Sequence, residues 1–381
     1  VDYDHPWDIG FEDRMAMLTR GSPRAAYFFE KPDTSTFRYR VFNISQALAE
    51  GTPGGPSSAW FDQDEFDRMD RVIDLCDLLV VCRARYTHRV ANMIERAKTR
   101  GRRVIFDCDD LVFDLSHTHM IMDTLGQVLD AGHVWDQWFA NIGRVAASFA
   151  LCDGATVTNP YLAQRARDAF ADDRPIRILP NFLEPRQQAL SEHIWQAKAQ
   201  SGWSRDDTVH LGYFSGTPTH NRDFALIAGV VARIMDDDPR LRLRIVGFLD
   251  LGPELARHAA RIEFFPLQDH LNLQRLIGEV EVNLVPLQDN MFTNCKSELK
   301  WFEAAVVGTV TVATPTYTFR HAIEHGRTGW LAASQNWESV LREVLRGIDE
   351  HADVTWQARE SALSRHSWHN QRRLITQALF G

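Results

Sequence analysis

Lys296 and Glu303 stand seven residues apart, which puts a cation and a carboxylate on one side of a helix if the segment is helical. Lys296 and Ser297 lie where such a helix would begin, with Glu298 and Leu299 next. A helix N-terminus presents unpaired N–H groups and the positive end of a dipole, and both suit a phosphate. Lys296 would add a full charge, and Glu303 would accept hydrogen bonds from sugar hydroxyls. The combination points to a nucleoside diphosphate rather than a bare phosphate. Gly308 then stops the helix, and Thr309–Ala313 reads as a short buried strand.

A second constellation runs from Gly212 to Asp223. It follows a strand pattern and opens a helix pattern. Gly216 allows close backbone approach, and Ser215, Thr217 and Thr219 offer hydroxyls. Arg222 supplies a fork of donors for phosphate oxygens. The plain alternative is a strand-to-helix loop whose helix is capped by Asn221 or Thr219. A third group, Asp107, Asp109, Asp110 and Asp114, ends another strand pattern. Taken alone, Asp107 and Asp109 have the Asp-x-Asp form that holds a divalent metal in some transferases. A surface loop or a helix cap is the alternative. A fourth group, Thr34 to Arg40, places hydroxyls and arginines between a strand and a helix, where the hydroxyls would also serve as caps.

These groups need elements to hold them. Apolar runs at Ala25–Phe29, Asp77–Cys82, Arg103–Asp107 and Gly154–Thr158 alternate with helical patterns. The second half repeats this rhythm with runs at His210–Phe214, Leu243–Val246, Ile262–Phe265, Val282–Val285 and Thr309–Ala313. Such alternation predicts parallel sheets covered on both faces. We expect an α/β protein of two doubly wound, Rossmann-like domains facing across a cleft, with ligands beyond the carboxyl ends of the strands. The first domain covers 1–184 and the second 208–366, joined by a linker at 185–207. A final helix within 367–381 crosses back. Residues 120 to 149 read as one long helical stretch, with Trp135, Trp138 and Phe139 as core or as an acceptor- or membrane-facing side.

The segment around Glu303, Ala304 and Gly308 resembles the signature of retaining glycosyltransferases of the GT-B fold, especially family 4. The resemblance extends to Cys152–Asn159 with Ile178–Asn181, to Ile245–Gly247, and to the closing Ser367-Trp368 helix. It implies that Asp109, Arg222, Lys296 and Glu303 carry the chemistry. Lys296, Arg222, the Ser215-Gly216-Thr217 loop and N–H groups near Ser297, Glu298 and Leu299 would stabilise a leaving diphosphate, and Glu303 would bind the ribose. The loop Phe264–Gln268 would flank the base. The resemblance places Asp109 and Asp110 where relatives carry a His-Asp pair, and brings Tyr39 and Arg40 into the cleft near the acceptor. The family's first glutamate is replaced by Cys295, so either the donor sugar is held differently, through Asp109 or Asn294, or catalysis is weak.

At 381 residues the chain is long enough for two cores. Its net charge of −9 argues against general nucleic-acid binding, which needs a basic face. Five cysteines without metal-ligand spacing fit a reduced, cytoplasmic setting. No apolar run is long enough for a transmembrane helix. From the resemblance we expect no metal and no cofactor, a nucleotide-sugar donor, a glycan or lipid-linked acceptor, and peripheral association with the inner face of a membrane. The expected role is bacterial surface polysaccharide assembly. The Val1 start carries the expectation of a piece of a larger multidomain protein. Rival readings are a non-catalytic nucleotide-sugar-binding domain and a different GT-B enzyme, such as a nucleotide-sugar epimerase or a phosphorylase.

Overall fold

Runs such as Leu78–Cys82 are buried along their whole length, as a strand covered on both faces requires. Period-two alternation then sends neighbours to opposite sides. Ala26, Phe28, Leu79 and Val81 join one hydrophobic layer. Ala25, Tyr27, Leu78 and Val80 join the other. The computed structural model describes residues 5–170, 172–203, 206–217 and 221–381.

The first sheet contains β1 (Arg24–Phe28), β2 (Ser57–Phe61), β3 (Leu78–Cys82), β4 (Arg103–Cys108), β5 (Gly154–Val157) and β6 (Ile176–Ile178). Its order is β2-β1-β3-β4-β5-β6 and every pairing is parallel. The second sheet contains β7 (Val209–Ser215), β8 (Leu241–Gly247), β9 (Ile262–Phe265), β10 (Val282–Val285), β11 (Val310–Ala313) and β12 (Trp330–Leu331). Its order is β12-β11-β10-β7-β8-β9, again all parallel. Strand order reverses between β1 and β3 in the first sheet and between β7 and β10 in the second. Crevices at such switch points are where open α/β sheets bind ligands. The two doubly wound, Rossmann-like sheets expected from the sequence are therefore present.

Three details differ from the sequence expectation. The stretch 120–149 is not one helix: Thr118–Thr124 and Gly132–Ala150 are separate, with Gly126 in the left-handed region at φ +69° between them. Strands β2, β6 and β12 are absent from the sequence expectation: β6 and β12 are only three and two residues long, and the polar start of β2 (Ser57, Ser58) follows a Gly/Pro-rich stretch and hides a buried edge strand. The helix ahead of Gly308 begins only at Leu299 and ends at Ala305, so Lys296, Ser297 and Glu298 precede it.

Gly308 has φ +67°, and a Cβ there would meet the Trp203 ring at 2.6 Å, so both backbone and packing demand glycine. Helix Pro185–Gln200, capped by Glu184, packs on the second domain, where Trp195 also lies against Gly308. Helix Trp368–Phe380 returns to the first domain. Ile375 and Leu379 enter its core, and Arg177 and Arg372 of the two surfaces donate to backbone carbonyls across the contact. Among the described residues, no helix is long and apolar enough to cross a membrane.

Candidate functional site

A cavity of about 710 Å³ lies between the carboxyl ends of the two sheets. That falls in the ordinary range for small-molecule sites, roughly 300–1,000 Å³. Both switch points open into it. The first domain contributes the turn after β1 (Glu30 to Thr36, then Arg38 and Tyr39), Arg83 after β3, and Asp109 and Asp110 after β4. The second contributes Ser215, Gly216 and Thr217 after β7, and Lys296, Ser297, Leu299, Lys300 and Glu303 around the helix that precedes β11.

Glu303 sits at the centre of the contact between the domains. Its Oε1 accepts from Arg38 Nη2 at 3.2 Å, from Gln187 Nε2 at 3.3 Å and from the Tyr39 hydroxyl. A π-helical turn over Arg38–Phe42 aims Arg38 and Tyr39 across the cleft. Burial pushes the Tyr39 phenol well above its usual range, with the Glu303 charge reinforcing it, so the hydroxyl stays a donor. The Arg38 guanidinium is also buried, which works against its charge, and the Glu303 carboxylate holds it protonated.

Arg40 does not reach the cleft. It is fully buried in the first domain and grips Asp107 with two parallel hydrogen bonds of 2.9 and 2.8 Å, while its third nitrogen donates to the Leu179 carbonyl and Asn181. Thr156 donates to the same Asp107. The turn that points Arg38 outward necessarily points Arg40 back, which corrects the sequence assignment. This also removes Asp107 from any metal site. Among the described residues, no group of three or more His, Cys, Asp or Glu is arranged to hold a metal ion.

Asp109 lines the cavity and accepts from Arg83 Nη1 at 3.0 Å and from Thr36. Arg83 holds a φ of +50°, a strained value for a non-glycine residue and one that concentrates at functional sites. Asp110 meets Lys296 Nζ at 3.5 Å across the domain boundary. Ser215 is buried and donates to the Thr217 carbonyl, closing the loop on Gly216. Thr219 lies outside the described residues. Three further expectations fall away from the cavity lining. Arg222 donates to the Asp123 carbonyl at 2.6 Å and pairs with its carboxylate, tying the domains together at an exposed position. Asn294 accepts from the Tyr317 N–H at 2.6 Å. Glu298 faces buried His366 at 3.4 Å.

Cys295 is fully buried in the first domain's core with Phe292, so a loop of the second domain plugs the first. Burial raises its thiol pKa. Asn159 holds its carbonyl at 2.7 Å. The side chain standing at the resemblance's first glutamate thus faces apolar neighbours rather than the cavity.

Sequence reasoning passes over Arg38, Arg83 and Lys300. Lys300 is findable: it lies three residues before Glu303, the spacing of neighbours on a helix surface. Arg38 adjoins Tyr39, which the sequence does single out. Arg83 carries no local signal, because its role depends on the β3–β4 neighbourhood.

Residues 209–350 match the family described as "Glycosyl transferases group 1". Among solved structures, the chain is similar to HepE of Anabaena, solved in complex with UDP and glucose. That match has a TM-score of 0.62 at 12% identity, covering 93% of this chain and 98% of that one. Sucrose-phosphate synthase from Thermosynechococcus elongatus matches with a TM-score of 0.62 at 13% identity, covering 93% and 97%. WaaG, a glycosyltransferase involved in lipopolysaccharide biosynthesis, matches with a TM-score of 0.60 at 12% identity, covering 94% and 100%. No curated protein sequence matches the chain. At these identities the structural likeness establishes a shared fold, the two-domain GT-B architecture.

Proposed function

We propose that the chain, whose residues 209–350 match the group 1 glycosyltransferase family, transfers a sugar from a nucleoside-diphosphate donor to a glycan or lipid-linked acceptor, with retention, in surface polysaccharide assembly. The observation that carries the reading is the placement of Glu303. Its carboxylate lies in a cavity at both switch points, beside a Ser-Gly-Thr loop and lysines from the same domain. A carboxylate placed to accept from ribose hydroxyls, beside cations placed to donate to diphosphate oxygens, suits a nucleoside diphosphate. In the free protein Arg38, Tyr39 and Gln187 occupy Glu303, so ribose hydroxyls would take over acceptor positions those groups now fill.

In the proposed reaction, the acceptor hydroxyl attacks the anomeric carbon on the leaving-group face. The bond from that carbon to the diphosphate oxygen breaks, and a donor phosphate oxygen takes the hydroxyl proton. Protein cations and N–H groups stabilise the charge that develops on the diphosphate. Asp109, held by Arg83 and Thr36, would accept from sugar hydroxyls. Asp110 and Tyr39 would border the acceptor.

A second reading, a nucleotide-sugar-binding domain without transfer, is favoured by the burial of Cys295, which leaves no carboxylate at that position to meet the donor sugar. Calorimetric titration of UDP, GDP, dTDP and CDP, with UDP first because HepE is solved with it, tests both readings. We expect one nucleotide to bind. Glu303→Gln should weaken it by about tenfold or more, the scale of lost hydrogen bonds to a charged group. Binding of none would sink the donor-site reading. Binding without sugar transfer or donor hydrolysis would move the conclusion to the second reading.

A further inference from the structure

We propose that Lys300, rather than Lys296 or Arg222, is the cation that grips the diphosphate of the bound nucleotide. This rests on the donor-site reading above and names the residue that does the work within it.

The argument starts from how the other cations are engaged. Lys296 Nζ is 3.5 Å from Asp110, Arg222 is paired with Asp123, Arg38 with Glu303 and Arg83 with Asp109. Each would have to give up a carboxylate before it could serve a phosphate. Lys300 also lines the cavity, yet among the described residues no carboxylate lies within ion-pair distance of its Nζ. That atom sits over the Tyr213 ring, 5.4 Å from its centroid. Tyr213 is on β7, two residues before Ser215, so the ammonium lies beside the strand whose end opens into the Ser215-Gly216-Thr217 loop. Asn283 of β10 holds the Lys300 carbonyl at 2.9 Å, fixing the backbone at the switch point between β7 and β10. Lys31 lines the same cavity without a carboxylate partner, but it stands exposed on the first-domain wall, where water screens its charge.

The surroundings of Lys300 disfavour its charge. Burial lowers its pKa to about 8, and nearby Lys296 opposes the attraction of Asp223 and Glu303. An ammonium with no acid at ion-pair distance gains most from an incoming dianion. Bound phosphate would restore its proton affinity.

The test is calorimetry on the full chain, with UDP, GDP, dTDP and CDP and with inorganic pyrophosphate as a base-free probe. Wild type, Lys300→Met, Lys300→Arg and Lys296→Met are compared at pH 7 and pH 9, with a thermal melt of each. Lys300→Met should melt like wild type and bind the preferred nucleotide and pyrophosphate about tenfold or more weakly. Lys300→Arg should recover much of that loss, and Lys296→Met should lose less than Lys300→Met. Wild-type affinity should fall between pH 7 and pH 9, and Lys300→Met should lack that component of the fall. Binding by Lys300→Met within about twofold of wild type would overturn the proposal while leaving the nucleotide site standing. So would a loss that Lys300→Arg does not recover and that leaves the pH dependence intact, since it would mark a packing role. If wild type binds none of the four nucleotides, the donor-site reading fails and this inference fails with it.

Discussion

The two walls of the cleft treat charge in opposite ways. In the first domain two acids are answered from close by, Asp107 by Arg40 beneath the cleft and Asp109 by Arg83 on its wall, while Asp110 on the same wall is met from across by Lys296. On the second-domain wall Lys300 stands over the Tyr213 ring with no carboxylate at ion-pair distance among the described residues, and Glu303 is answered from across the cleft by Arg38 and Tyr39 and from its own side by Gln187. One wall is a closed electrostatic scaffold. The other presents its charged groups to the cavity and to the facing domain. Arg38 and Arg40, two residues apart, show the division most sharply, since one turn of backbone sends one to each role.

The largest effect should come from breaking the scaffold. Arg40 and Asp107 are both fully buried, and their pairing is bidentate. Removing one partner strands a buried charge, which costs about 3–5 kcal/mol. Arg40→Ala should therefore unfold at markedly lower denaturant concentration than wild type. Replacing both partners with apolar residues, Arg40→Met with Asp107→Leu, should recover much of that loss. If Arg40→Ala cost under about 1 kcal/mol, the first wall would not be the rigid half of the comparison.

Next in size is the plug between the walls. Cys295 lies among apolar side chains of the first domain. Cys295→Glu would put a carboxylate among apolar side chains, with Arg165 and Lys296 nearby but no hydrogen-bond donors placed for it, and should destabilise by about 2–4 kcal/mol. The readout is a lowered melting temperature with no gain in donor affinity. A variant that melts normally and binds a nucleotide sugar more tightly would show that this position faces the donor after all. Cys295→Ala should cost only about 1 kcal/mol.

Much of the fold was legible because buried parallel strands announce themselves. A continuous apolar run such as Leu78–Cys82 fits little besides a strand covered on both faces, and the alternation of such runs with helices forces the doubly wound form. Strand β2 was hidden because an edge strand tolerates Ser57 and Ser58, which are buried here by neighbouring elements and not by their own character. The cavity residues were legible where local spacing carried them: Lys296, Glu303 and the Ser215 loop do reach it. Direction was not legible. Nothing in the string Arg38-Tyr39-Arg40 says that a π-helical turn will aim the first arginine at Glu303 and the second at Asp107. Ion pairing across the domains was equally hidden, because Asp123 and Asp110 lie far in sequence from the Arg222 and Lys296 they meet.

The smallest expected effect discriminates best between the two lysines. Lys296 and Asp110 are each about one-fifth exposed, with side-chain accessibilities of 20% and 19%. Such a pair contributes little to stability, about 0–1 kcal/mol, and less at high salt. Asp110→Asn should thus melt within a degree or two of wild type. Its consequence should appear in binding, because the substitution frees Lys296 while leaving it at the cavity. Affinity for the preferred nucleoside diphosphate should then rise by about two- to fivefold, and the rise should be larger at low salt. In a Lys300→Met background the same change should restore part of the lost affinity, since a released Lys296 can stand in for the missing ammonium. If Asp110→Asn instead weakened binding, the pair would be a ligand-holding unit in its own right, and the contrast between an answered and an unanswered wall would have to be redrawn around Asp110.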